Sequence, residues 1–241
     1  MEGFSPSKLL CIPGRDGARP SGREAAYDWV VMLIQDLGRL DYRTAWKFQE
    51  EVHEEVRGGH DEKLLIVEHP PVVTLGRRPN NSRHLVATAE QLKARKVEVV
   101  ESDRGGDITF HGPGQLVVYP IVRLNEHGLS VGGYVRRLEE VVIAALLDFG
   151  VSAKKDEAIG VWVEGKKICA LGVRIKRGVS LHGVALNVST DLKYFDLIVP
   201  CGLTGKGVTS LEKVLGKAPS MEKVKRVVVA RMKEAFAGVE R

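Results

Sequence analysis

Four side chains stand where packing alone does not readily explain them. Cys201 lies in IVPCGLTGKGVTSL (198–211), between a proline and three closely spaced glycines. Apolar packing accounts for a cysteine inside a strand, such as Cys169. It accounts less well for one in a Pro-Gly loop, where exposure and free backbone N–H groups favour the thiolate. A loop thiol with no chemical task is the plain alternative. Lys167 lies in GKKICALGVRI (165–175), two residues into an apolar strand. Such a lysine is paired, stripped of its charge, or held at the strand's mouth with its amine in water. Period-two alternation puts Lys167, Cys169 and Leu171 on one face, and Ile168, Ala170 and Gly172 on the other. His111 and His182 are each followed by glycine, in FHGPG and LHGVA. Either could hydrogen-bond structurally, ligate a metal or move protons. No HExxH, His-x-His or paired-carboxylate cluster accompanies them, so no metal is expected.

The stretch RGGDITFHGPGQLVVYP (104–120) packs four glycines, an arginine and a histidine ahead of an apolar run that reads as a strand. A second glycine pattern, GVWVEGKK (160–167), matches a phosphate loop except for the final Ser or Thr. A true phosphate loop joins a strand to a helix, so that its N–H groups cradle phosphate. Here strand residues flank the turn on both sides, and a hairpin is expected instead.

These segments must be held by regular elements. Ala45, Phe48, Val52 and Val56 recur at helical spacing, giving a helix over about 43–57 that Gly58 and Gly59 end. LLIVEH (64–69) reads as a buried strand stopped by Pro70 and Pro71, and VVTLG follows as a second. Thr88 with Gln91 makes a capping box before a short helix, and VEVVES (97–102) is another strand. Ser130 caps a long helix ending near Gly150. A meander then turns at Glu164-Gly165 and at Lys176-Arg177-Gly178. An amphipathic helix closes the chain at about 221–236. Strands in hairpins, with helices between others and no strict βαβ succession, indicate an α+β fold with a mixed, mainly antiparallel sheet flanked by helices.

Composition sets outer limits. The 241 residues suffice for one large domain; residues 1–27 read as a poorly ordered tail and 28–241 as a single catalytic domain. A net charge of +5 permits an acidic partner without selecting one, while dispersed basic residues and 6% aromatics argue against nucleic acid. No apolar run is long enough to span a bilayer, and no membrane association is expected. Three widely spaced cysteines, with no CxxC, fit a reducing cytoplasm.

Taken in order, RGGDITFHGPGQLVVYP, GKKICALGVRI, SLHGVALNV (180–188) and VPCGLTG (199–205) resemble the octanoyltransferases of lipoate biosynthesis, the lipoyl(octanoyl) transferase family. The resemblance runs from about Leu37 through Ser210-Leu211. It implies a fold like the catalytic domain of biotin and lipoate protein ligases. It also implies transfer of an octanoyl group from acyl carrier protein to a lysine of lipoyl domains, those of 2-oxoacid dehydrogenases and of the glycine cleavage H protein. By this resemblance a cysteine–lysine dyad works without a cofactor: Cys201 is the nucleophile and Lys167 its proton acceptor. Substrate contacts are carried over to the stretch Arg104, Gly105, Gly106, Asp107, Ile108, Thr109, Phe110 and His111. They extend to Ala170, Leu171 and Gly172, and to Gly183, Val184 and Ala185. The longer N-terminus departs from the family pattern, and Asp107 and Phe110 occupy variable positions within the signature. Cys169 is the rival thiol. The glycines are expected to let an alkyl chain lie against bare backbone, and N–H groups of the Gly-rich or Cys201 loop to hold the oxyanion. Competing readings are an ATP-dependent lipoate or biotin ligase, which needs no nucleophilic cysteine, and a non-catalytic lipoyl-domain binding module.

Overall fold

A computed structural model describes residues 32–199 and 207–237. The segment read as a tail, 1–27, and the Cys201 position lie outside these residues. Among them, nine strands form two sheets: β1 (Met32–Arg39), β2 (Glu62–Glu68), β3 (Val72–Leu75), β4 (Glu98–Glu101), β5 (Ile108–His111), β6 (Gln115–Ile121), β7 (Val161–Val163), β8 (Lys166–Lys176) and β9 (Val179–Asn187). The larger sheet runs β1-β2-β6-β9-β8-β7, and the smaller β4-β3-β5. Pairing is parallel for β1–β2 and β3–β4 and antiparallel elsewhere. The α+β class and the mixed, mainly antiparallel sheet agree with the sequence reading.

The helices are α1 (Tyr42–Arg57), α2 (Ala89–Ala94), α3 (Val131–Leu147), α4 (Leu211–Leu215) and α5 (Met221–Phe236). Their starts follow from side-chain caps that satisfy otherwise orphaned N–H groups. Asp41 accepts from Thr44 N at 2.9 Å, Ser130 from Gly133 N at 3.1 Å, and Ser220 from Lys223 N at 3.3 Å. Thr88 and Gln91 form the expected capping box. Helices α3 and α5 cover one face of the large sheet through Leu138, Val142, Val224 and Val228. Helix α1 covers the other, setting Val52 and Val56 against Leu65, Val117 and Ala185.

Both meander turns have left-handed central residues, Glu164 (φ 49°) with Gly165 (φ 75°) and Arg177 (φ 52°) with Gly178 (φ 83°). Two such residues make the turn whose twist matches paired strands. The second turn is thus two residues long, and Lys176 belongs to β8 rather than to the turn. Strand β1 is absent from the sequence reading. It is an edge strand whose residues are mostly half-buried or exposed, with Gln35 and Asp36 at its centre, so no apolar alternation marks it.

Candidate active site

A cavity of about 660 Å³ opens between the two sheets. One wall is the Arg104–Asp107 turn with β5; the other is formed by β8 and β9, with Ile159, Lys167 and Val208 also on its lining. The structure therefore brings together, on one surface, segments far apart in the chain, from Arg104 to Val208. Lys167 lines the cavity, as do Arg104 to Thr109, His111, Ala170 to Gly172, and Gly183 to Ala185. Phe110 does not. Its ring stacks on Tyr194 at 4.7 Å and meets Phe195 edge-on at 5.6 Å, in the core of the small sheet. Successive strand residues point to opposite faces, so Phe110 turns away between Thr109 and His111. Cys201 lies outside the described residues.

The shared face expected for Lys167 and Cys169 is not formed. The β7–β8 register steps from Val161↔Cys169 to Trp162↔Lys167, which skips Ile168. A bulge breaks the alternation there. Cys169 consequently joins the apolar core, fully buried, and burial pushes its thiol up to about 12. A thiol so seldom ionised is a poor nucleophile.

Lys167 is only 7% exposed. Its Nζ donates to Ile159 O at 3.0 Å and lies 4.8 Å from the centre of the Trp162 ring. Gly160 makes this placement possible: with φ +141°, it would bring a Cβ within 2.9 Å of Lys167 Cε. The lysine's main chain is equally committed. Its N–H donates to Gly207 O at 2.9 Å, and its carbonyl accepts from Thr209 N at 2.9 Å. The near-match GVWVEGKK is indeed β7, turn and β8, as its flanking residues implied.

Gly105, Gly106, Gly172 and Gly183 line the cavity, and some of them also serve packing. Gly105 N donates to Val173 O at 2.9 Å, and a Cβ on Gly172 would stand 2.9 Å from Gly105 O. These two residues bring main chain against main chain where the Arg104 turn meets β8. Gly183 likewise lets β9 approach β6, since a Cβ there would meet Val118 O at 2.1 Å. The Gly105 N–H, being taken by Val173, is also not available to an oxyanion.

The inner end of the cavity is polar and tightly bonded. Arg104, 6% exposed, donates from Nε to Thr74 Oγ1 at 3.0 Å and from Nη2 to Thr74 O at 2.6 Å. His111 donates from Nδ1 to Gln115 Oε1 at 2.8 Å, and Gln115 Nε2 donates to Asn187 Oδ1 at 2.9 Å. Asn187 Nδ2 in turn donates to Thr209 O at 3.0 Å. His69 donates from Nδ1 to Leu40 O at 2.7 Å and accepts from Tyr119 Oη at 2.8 Å. His182, with φ 58°, donates from Nε2 to Asp103 Oδ1 at 2.6 Å, and Asp103 also pairs with Arg174. Tyr42 stacks on His111 at 5.8 Å and bonds Ser102 Oγ at 2.8 Å. Tyr42, Tyr119, Gln115 and Asn187 escaped the sequence reading. Gln115 carried a signal, as the polar residue closing HGPGQ, and so did Asn187 within an apolar strand.

Burial holds all three histidines neutral, with nearby Arg104 adding to the effect for His111 and His182. His69 is lowered to about 4 and His182 to about 3, while His111 lies well below 6.5. Because the folded values are depressed, the unfolded chain binds protons that the folded chain refuses. Stability is therefore expected to be flat above about pH 6.5 and to fall on acidification toward pH 4, each histidine contributing up to about 1.4 kcal/mol per pH unit. Urea unfolding across this range checks the direction. His69→Gln should flatten part of the decline, and an unchanged slope would contradict the neutral assignment.

The combination of this two-sheet fold with the cavity at the join defines a protein class. The lipoyl protein ligase A/B catalytic domain model matches residues 41–233, and the chain belongs to that family. The octanoyltransferase of Chloroflexus aggregans is 47% identical over 211 residues, covering 86% of this chain and 95% of that one. That of Rubrobacter xylanophilus is 47% identical over 202 residues, covering 83% and 90%. The protein is accordingly an enzyme of the acyltransferase class. Among solved structures, lipoate-protein ligase A bound with ATP aligns with a TM-score of 0.68 at 17% identity, covering 85% of this chain and 84% of that one. Biotin protein ligase from Aquifex aeolicus, in complex with biotin and ATP, aligns at 0.53 with 15% identity, covering 84% and 69%. At these identities the two ligases share the fold alone. Among the described residues, no helix is long and apolar enough to cross a membrane.

Proposed function

We propose that this enzyme transfers an octanoyl group from the thioester of acyl carrier protein to a lysine of lipoyl domains, through a thioester on Cys201. The acceptors in this reading are the lipoyl domains of 2-oxoacid dehydrogenases and the glycine cleavage H protein. The observation that carries it is the position of Lys167: a buried amine on the cavity wall, hydrogen-bonded through its own main chain to Gly207 and Thr209. Cys201 precedes Gly207 by six residues, a span of at most about 20 Å when extended. Phe195 and Val208, on either side of that segment, both line the cavity. These placements support a meeting of the two side chains.

In the first half-reaction Lys167 takes the Cys201 proton, and the thiolate attacks the octanoyl carbonyl. The C–S bond to the carrier breaks, and the carrier's thiolate leaves with the proton that Lys167 returns. In the second, the acceptor's neutral amine attacks the acyl-enzyme. An amide forms, the Cys201 thiolate leaves, and the proton released from the amine restores the starting pair. Cysteine needs such help at neutral pH, since its ordinary value is about 8.5.

Incubation with octanoyl-carrier protein, without ATP, is expected to add one octanoyl group to the peptide containing Cys201, read by mass spectrometry. Passage of that group to a lipoyl domain should follow. Product formed only with ATP and free octanoate would favour the ligase reading, and binding without turnover would favour the non-catalytic module.

A further inference from the structure

The peptide joining Ile159 to Gly160 is held from both ends. Its carbonyl accepts from Lys167 Nζ at 3.0 Å, and its N–H donates to Glu139 Oε1 at 3.0 Å. In a trans peptide these two groups point in opposite directions, so Lys167 and Glu139 approach the same unit from opposite sides. Glu139 comes from the middle of α3 and is only 6% exposed. The peptide takes this position because residue 160 has no side chain: a Cβ would stand 2.9 Å from Lys167 Cε and 3.0 Å from Cys169 O.

A neutral glutamine would accept the Gly160 N–H equally well. Burying a carboxylate instead carries a desolvation cost, recovered only where a positive partner benefits from the charge. A carboxylate bonded to a peptide N–H also polarises that peptide, making its carbonyl a stronger acceptor. Through these two hydrogen bonds the carboxylate is linked to one basic side chain, Lys167.

We propose that Glu139 is a positioning residue for the acyl transfer, acting on Lys167 through the Ile159–Gly160 peptide. It fixes the carbonyl that holds the amine, and its charge sets how readily the cysteine–lysine pair gives up a proton. The proposal rests on the assignment of Lys167 made above. Whichever member of the pair carries the proton, a nearby anion opposes its loss, so the sign is the same for an amine base or an ammonium–thiolate pair. Other charged and titratable groups around the site are Asp156 and Glu157 on the same loop, and Glu140 with its partner Lys155 beside α3. Arg104 and His111 also line the cavity, and the Cys169 thiol lies beneath β8. Substitution at 139 leaves all of them in place.

The test uses the full chain and octanoyl-pantetheine as acyl donor, with the rate of enzyme acylation followed against pH. Glu139→Gln keeps the acceptor and removes the charge. It should retain its rate at optimal pH within about threefold, while the midpoint of the rising limb moves to lower pH by about one unit. Glu139→Ala, which loses the anchor as well, should lower the rate about 10- to 100-fold. Thermal melting establishes that each variant is folded. An unmoved midpoint in Glu139→Gln, with Lys167→Met inactive, would overturn the role given to Glu139 alone. A Lys167→Met enzyme that acylates normally would overturn the assignment of Lys167 and this proposal with it.

Discussion

Replacement of Cys201 by alanine is expected to lower octanoyl transfer by about 10³-fold or more, and to abolish the octanoyl-enzyme adduct entirely. In the proposed mechanism the size of the effect follows from dividing the reaction at a covalent intermediate. Without the thiol, the acceptor amine must attack the carrier's thioester directly, with two proteins at one cavity and no enzyme nucleophile between them. Binding and orientation remain, so transfer should not fall to the uncatalysed level. Stability should be little changed in Cys201→Ala, because the loss is one small side chain. The informative comparison is Cys169→Ala. Its thiol is buried beneath β8 and pushed up to about 12, so that variant should still form the adduct, at some cost in core packing. An adduct that survived Cys201→Ala and disappeared in Cys169→Ala would reverse the assignment.

Lys167→Met is expected to lower turnover about 10²- to 10⁴-fold, the range for removal of a positioned proton acceptor. Methionine is unbranched and of similar length, so it can lie along the channel between Gly160 and the Trp162 ring without new clashes. The main-chain bonds to Gly207 and Thr209 do not depend on the side chain and should persist. Thermal stability should therefore hold or rise slightly, since a buried amine is exchanged for an apolar group. Lys167→Arg should be no more active. A guanidinium is larger, stays charged at all working pH values, and cannot accept a proton. The double variant with Cys201→Ala should be hardly slower than Cys201→Ala alone, since the proposed mechanism has the two residues act as one unit. Additive losses, measured by single-turnover transfer, would mean that Lys167 does separate work.

Much of this arrangement could be read from residue order. Period-3.6 stripes placed α1, α3 and α5, and Thr88 with Gln91 placed the start of α2. Glu164-Gly165 and Lys176-Arg177-Gly178 declared their turns through glycine, which accepts a left-handed backbone without steric cost. Three of the four motif segments that resemble the octanoyltransferases border a single cavity through several of their residues, though not through Phe110; the fourth, VPCGLTG, lies almost wholly outside the described residues.

What escaped was mostly non-local. Strand β1 is built from residues that sit at an edge, where burial imposes no alternation. The division into two sheets depends on pairing between β3, β4 and β5, which no local pattern records. The skip at Ile168 moved Cys169 from the expected face into the core, and strict alternation has no means of announcing a bulge. Glu139 lies between Leu138 and Val141, among the apolar residues of α3, and its spacing gives it no distinguishing mark. Its meaning depends on a loop about twenty residues further on that folds back over α3.

The contact of Gly105 with Val173 and Gly172 has a consequence for specificity. Because main chain touches main chain there, the gap between the sheets works as a calliper locked at one setting. No side-chain substitution can narrow a jaw made of backbone, and adding a Cβ at Gly105 or Gly172 can only force it wider. Variation in what the cleft admits must therefore come from walls that carry side chains, such as Val117, Leu171 and Val184, while the spacing itself stays constant.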